Sequence, residues 1–159
     1  MDIKKLGVWA AVDRLTAVEA AEFARRVEGW GYGALWYPEG VGRNSLVQAS
    51  WLLSQTRTLV LASGIANIYA RDAWATESGR RTLDEQSGGR FLCGLGVSHL
   101  PFVEEMRGHD YGKPLSRMRS YLQAMTKTQY HSPAPPQSGE LILAALAPKM
   151  LALSAELAD

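Results

Sequence analysis

The feature that most constrains this chain is the alternation of short apolar runs with helical patterns along its length. Five runs read as strands, at 6–10, 34–37, 58–65, 90–95 and 141–146. A segment with helical spacing of apolar residues comes after each of them, and no hairpin signal joins any two. Strands that alternate with helices in this way predict a parallel sheet with right-handed crossovers. The run at 58–65 supports this, because Leu, Val and Ile occupy both of its faces, as a doubly covered parallel strand requires. Alternation alone leaves open an open doubly wound sheet or part of a barrel.

Helix boundaries are marked by local chemistry. Thr16 and Glu19 form a capping box, and Ala20, Phe23, Ala24, Val27 and Trp30 recur at helical spacing behind it. Gly29, Gly31 and Gly33 close that helix. Ser45 and Gln48 suggest a second capping box, ahead of a stripe of Leu46, Ala49, Leu52 and Leu53. Asp72 is the expected N-cap of a third helix that runs to Ser87. Its stripe of Ala73, Thr76, Gly79 and Leu83 is small enough to permit close approach. A short helix is expected at 101–107. Pro114 and Pro148 sit at first-turn positions of two further helices. The loop at 131–139, HSPAPPQSG, is extended and proline-rich. Trp30 and Trp51 lie on helix stripes and are expected in the core, whereas Trp74 suits an interface. Arg80, Arg81, Asp84 and Glu85 suggest a solvated face with local ion pairs.

Bulk properties narrow the function classes. The 159 residues suffice for one domain with a real core, taken as 1–159. A net charge of +1 gives no electrostatic support to a nucleic-acid or anionic-membrane partner. No apolar run reaches the roughly 18 residues of a membrane span. The N-terminal segment lacks the pattern of a signal peptide. Cys93, the single cysteine, lies within an apolar strand and is expected to be a small core residue. A cytoplasmic location is the default expectation. No His/Cys/Asp spacing suggests a metal site, and no G-x-S-x-G elbow is present.

In either parallel architecture, ligands bind at the carboxyl ends of the strands. That rim holds Trp9, then Trp36, Tyr37 and Glu39, then 64–69, then 96–99. It is aromatic and glycine-rich with few charges, which suits a flat conjugated ligand. Gly94-Leu95-Gly96 is only a weak dinucleotide signal. It lacks a third glycine at the right spacing and does not come after the first strand. Gly64, at the end of a buried strand, permits either a bulge or close approach of a ring. Glu39 is a candidate to orient substrate or take a proton, or else a solvated cap. His99 either contacts a ligand or starts the next helix.

Four ordered stretches carry a resemblance. EAAEFARRVEGWGYGALWYPEG (19–40), LASGIANIYARD (61–72), RTLDEQSGGRFLCGLGVSH (81–99) and RGHDYGKPLSRMRSYLQAM (107–125) together resemble the bacterial-luciferase-like monooxygenase superfamily, in particular its F420-dependent oxidoreductase branch. The resemblance implies a (β/α)8 barrel with an insertion after the fourth strand. It also implies the deazaflavin F420, or alternatively FMN, at the carboxyl rim, and hydride transfer between that cofactor and a small organic substrate. By position, Gly64 and Ile65 match a strand-three bulge, where many members have a non-prolyl cis peptide. Ala66 and Asn67 are expected on the same wall. Gly96, Val97 and Ser98 match the strand-four end that reaches the cofactor. Glu39 takes the catalytic rim position after strand two, and Trp9, Trp36 and His99 are assigned to the substrate side. His109, Tyr111 and Lys113 fall in the insertion.

Such a barrel needs about 250 residues. This chain is therefore expected to form a partial barrel of about five strands, with strands one and five as open edges that favour a homo-oligomer, most simply a dimer. The expected function is an F420- or flavin-dependent oxidoreductase. The alternative is a non-catalytic remnant that binds cofactor weakly or only oligomerises. An open-sheet nucleotide-binding module ranks last, because no glycine loop comes after the first strand.

Overall fold

A computed structural model describes residues 6–135 and 137–159. The two lysines near the N-terminus and Pro136 of the proline-rich loop lie outside the described residues.

The order of elements is β1 (Gly7–Trp9), α1 (Ala17–Gly29), β2 (Ala34–Tyr37), α2 (Ser45–Gln55), β3 (Val60–Ser63), β4 (Ala66–Asn67), α3 (Ala73–Ser87), β5 (Phe91–Gly96), α4 (Leu100–Glu104), α5 (Pro114–Met125), β6 (Leu141–Leu143) and α6 (Pro148–Leu157). All pairings are parallel, and the strands succeed one another across the sheet in chain order. β4 continues the line of β3, so five strand positions are filled. Among the described residues the sheet does not close, and β1 and β6 each pair on one side only. This is a partial α/β barrel.

The expected third strand, 58–65, is instead two pieces with a bulge between them. Leu61 and Ala62 pair with Phe91 and Leu92, whereas Ala66 and Asn67 pair with Leu95 and Gly96. Ser63, Gly64 and Ile65 therefore oppose only Cys93 and Gly94. One extra residue bends the strand and re-aims its continuation as β4. The Gly64–Ile65 peptide is cis.

The two faces of the sheet carry different cores. Leu35, Tyr37, Leu61, Phe91, Cys93 and Leu95 point outward and pack under the helices with Ala24, Val27, Leu52, Met118 and Leu153. Ala34, Val60, Ala62 and Leu92 point the other way and form a small cluster with Trp36 and Ile142. Period-two alternation sends neighbouring residues to opposite faces, so helix burial and the inner face are set together.

Capping agrees closely with the sequence, with one correction. Thr16 and Glu19 form the full reciprocal box. Asp72 caps α3 by accepting from Ala75 N at 2.7 Å, and Gly88 ends it with φ of 67°. The cap of α2, however, is Asn44 rather than Ser45. Its Oδ1 accepts from Leu46 N and Val47 N, and Ser45 is the first helical residue. Asn and Ser are near-equal caps, so adjacency alone does not choose between them. Gly79 does allow close approach: a Cβ there would sit 2.7 Å from Leu46 of α2.

Two expectations about side-chain placement fail. Trp30 is 59% and Trp51 40% exposed. Trp30 sits past the end of α1 beneath the Arg26 guanidinium, at 5.0 Å. Trp51 lies along α1 and donates its indole N–H to Ala17 O at 2.8 Å. Large amphipathic rings can ride a helix flank when their N–H finds a partner. The set around Arg80 is only in part a solvated face: Glu85 is exposed and the local ion pairs form, but they lie largely buried. Asp84 is fully buried and Glu77 nearly so, and Arg80 bridges them while donating to Gly139 O at 3.1 Å. Gly139 N donates in turn to Asp84 at 2.9 Å. This network ties the segment before β6 to α3, a tertiary partnership that helical spacing does not reveal.

Candidate functional site

A cavity of about 930 Å³ opens at the carboxyl ends of the strands. Its walls come from four consecutive rim segments and from α4 and α6. Pro38 and Glu39 come directly after β2. Gly64 and Ile65 form the bulge, and Asn67 ends β4. Gly96 ends β5, and Val97, Ser98 and His99 lead into α4. Ala144, Leu146 and Ala147 lie just past β6.

The bulge forms one wall, and the glycines of β5 make room for it. A Cβ on Gly94 would stand 2.0 Å from the Ser63 carbonyl oxygen, and one on Gly96 would stand 2.5 Å from the Ile65 side chain. Backbone bars a side chain at Gly94, and at Gly96 one would have to push the Ile65 side chain aside. Ser63 closes the gap in the ladder: its hydroxyl donates to Gly94 O and accepts from Gly94 N, both at 2.9 Å. Gly94-Leu95-Gly96 is thus the counterpart of the bulge, not a phosphate loop.

Glu39 adjoins the same wall at the cavity's edge, and its side chain is almost completely buried. Its carboxylate accepts from Asn67 N at 2.8 Å, from Ser45 N at 3.1 Å and from the Arg71 guanidinium. Burial alone would push its pKa up. The Arg71 bond and the two backbone N–H groups outweigh burial and hold the carboxyl below its usual range. Both oxygens of Glu39 are therefore engaged and charged.

Ser98 adopts a left-handed backbone, with φ of 54°, which is uncommon for a residue with a Cβ. Tyr111 supports it by donating to Ser98 O at 3.3 Å. Tyr69 stacks on Tyr111 with centroids 5.5 Å apart and donates to its carbonyl at 2.6 Å. The insertion is thereby pinned to the rim. His99 is the N-cap residue of α4, but its side chain makes no capping bond. The residue lines the cavity instead.

Most of the expected site residues converge here. Glu39, Gly64, Ile65, Asn67, Gly96, Val97, Ser98 and His99 all line the cavity. Ala66 does not: it is fully buried in the outer core, since alternation along β4 turns it away from Asn67. Trp9 and Trp36 flank Gly64 from the inner face of the sheet rather than lining the cavity. A Cβ on Gly64 would lie 3.2 Å from the Trp9 ring and 3.5 Å from the Trp36 ring, and Trp9 donates to Gly64 O at 3.2 Å. From the insertion, Arg107 and Pro114 reach the cavity, whereas His109, Tyr111 and Lys113 do not line it. Sequence reasoning missed Arg107, Phe102 and Met106, and also Met150 of α6. The apolar members have ordinary helix-stripe spacing, and nothing local distinguishes a cavity-facing Met from a core one. Among the described residues no group of three His, Cys, Asp or Glu side chains is placed to hold a metal, and no helix is long and apolar enough to cross a membrane.

Comparison with known proteins agrees with this geometry. The family profile described as luciferase-like monooxygenase matches residues 5–159. The chain belongs to that family. This luciferase-like chain is 32% identical over 118 residues to a putative coenzyme F420-dependent oxidoreductase of Mycobacterium tuberculosis, a match covering 74% of the chain and 33% of the relative. It is 28% identical to the 5,10-methylenetetrahydromethanopterin reductase of Archaeoglobus fulgidus, covering 89% of the chain and 47% of the relative. Among solved structures, an F420-dependent secondary alcohol dehydrogenase in complex with an F420–acetone adduct superposes with a TM-score of 0.85 at 14% identity. That match covers 98% of this chain and 56% of the other. It shows the shared fold. The luciferase-like chain spans between a third and a half of the length of these two curated relatives.

Proposed function

We propose that the rim cavity holds coenzyme F420 and that the protein takes part in hydride transfer between this deazaflavin and a small organic substrate. The observation that carries the reading is the wall itself. The bulge at Gly64–Ile65 and the side-chain-free Gly96 present backbone and one aliphatic side chain to a cavity of about 930 Å³. A flat, conjugated ring needs such a surface, and the volume falls in the range of cofactor and ligand sites. The names of the curated relatives favour F420, while FMN, named with a structural neighbour of this fold, is the alternative. When bound, F420 supplies a two-electron carrier that accepts or returns one hydride.

Each part of the wall has its own task. Gly64, Ile65 and Asn67 back the ring, with Ala66 beneath them as filler. Gly96, Val97 and Ser98 reach the rest of the cofactor. His99 faces the substrate end, and Trp9 and Trp36 hold Gly64 from the inner face. Phe102, Met106 and Met150 exclude water from the apolar side of the cavity. We read the protein as cytoplasmic, in keeping with its single buried thiol. We also read it as a homodimer.

Titration of reduced F420 into the purified protein tests the reading. A saturable change in its spectrum is expected. A spectrum that stays unchanged up to high micromolar protein refutes it.

A further inference from the structure

We propose that Glu39 and Arg71 are a paired positioning device that sets the shape of the bulge after β3, and through it the wall against which the cofactor lies. The consequence for the cofactor rests on the proposed function; the clamp itself rests on geometry alone.

Glu39 grips the bulge at two points. Its backbone N–H donates to Ile65 O at 3.0 Å, and its Oε2 accepts from Asn67 N at 2.8 Å. Its other oxygen accepts from Ser45 N in the first turn of α2 and from Arg71. One residue thus ties the end of β2, the bulge and a helix together. Tyr37, two residues earlier, reinforces both ends: its carbonyl accepts from Gly64 N at 2.7 Å, and its hydroxyl donates to Ser45 O at 2.9 Å. Arg71 is anchored from behind, because its carbonyl accepts from the Tyr121 hydroxyl of α5 at 3.0 Å.

The chemistry suits positioning better than proton transfer. A bulge leaves ladder groups without their strand partners, and water would otherwise compete for them. A buried carboxylate offers several acceptor sites in one rigid group, and its charge strengthens each bond it accepts. Arg71 has one terminal nitrogen, Nη1, buried without a partner, and its other terminal nitrogen bonds Glu39. A carboxylate with both oxygens engaged in this way is suited to holding the bulge, so the proposal gives Glu39 a positioning role beside the catalytic one expected from the sequence.

Amide hydrogen exchange and F420 titration on the full chain test this together. The variants are Glu39→Gln and the double change Glu39→Leu with Arg71→Leu. The double change leaves no uncompensated buried charge and retains bulk. In both, exchange at Asn67 N–H should speed up at least about tenfold, with the Leu92 and Cys93 amides of β5 unchanged. F420 affinity should fall by roughly tenfold or more, the scale of one buried charged hydrogen bond. Unchanged Asn67 exchange overturns the clamp. Lost protection with intact F420 affinity overturns its role for the cofactor. If Glu39→Gln fails to fold, the double variant decides. If neither folds, the pair is structural and the positioning role is refuted. Wild-type protein that takes up no F420 contradicts the proposed function instead, and the exchange measurement then decides the clamp by itself.

Discussion

Gly94→Ala tests the fit between the bulge and β5. The added Cβ would stand 2.0 Å from the Ser63 carbonyl oxygen and 3.2 Å from its carbon. Ordinary non-bonded contact needs about 3.5 Å, so roughly 1.5 Å of movement must be found. The obstructing atom is backbone, and no rotamer change relieves it. β3 and β5 are neighbours in the middle of the sheet, so moving one from the other strains the ladder on both sides. Overpacking of this kind costs about 1–3 kcal/mol. The two hydrogen bonds between Ser63 Oγ and Gly94 are lost as well, at about 0.5–1.5 kcal/mol each. A total of about 3 kcal/mol or more is expected, read from urea unfolding followed by tryptophan fluorescence. Gly29→Ala supplies the contrast. It ends α1 with nothing within 4 Å of a new Cβ, so it should be neutral or stabilising by up to about 1 kcal/mol. A Gly94→Ala protein within about 1 kcal/mol of wild type would refute the account of Gly94-Leu95-Gly96.

Further outcomes are expected. Ser63→Ala leaves Gly94 N–H buried without its partner and should destabilise by about 1–3 kcal/mol in the same assay. Asp84 has its pKa raised by burial, which outweighs the Gly139 N–H and Arg80. A carboxyl with a raised folded pKa binds its proton more tightly when folded, so its ionised form costs stability as pH rises through that raised value. Asp84→Asn should therefore gain on wild type between acid and neutral pH, and a pH-independent difference counts against this. Glu39 and Glu77 have lowered values and the opposite sign: their contribution is complete above the ordinary glutamate range and lost as pH falls through their folded values. The Cys93 thiol, pushed up to about 12 by burial, should resist a thiol reagent in the native protein and react on unfolding. Rapid native-state labelling would contradict its placement.

The architecture was legible because parallel strands and capping motifs are local. Every expected strand and helix exists, and most ends agree within a few residues. The bulge was legible as a possibility at Gly64, but its partners were not. Gly94 and Gly96 are required by atoms some thirty residues earlier in the chain. Glu39 was visible as a rim carboxylate, whereas its engagement by Arg71, Ser45 and Asn67 is a tertiary fact. The same holds for Asp84 and Arg80. Their helical spacing suits a surface pair, and only the return of the chain at Gly139 buries them. Trp30 and Trp51 show the limit of apolar periodicity: the Trp51 ring stays on the helix flank with its N–H bonded to Ala17 O, and Trp30 lies past the end of α1 under Arg26.

The most direct test of the central claim is to map F420 onto the protein by backbone amide chemical shifts. The largest changes are expected at 64–67 and 96–99, with Glu39 included, and they should saturate with the optical signal of binding. Changes centred instead on the recess between Arg80 and Glu140, or no changes at all, would contradict a cofactor site at the rim.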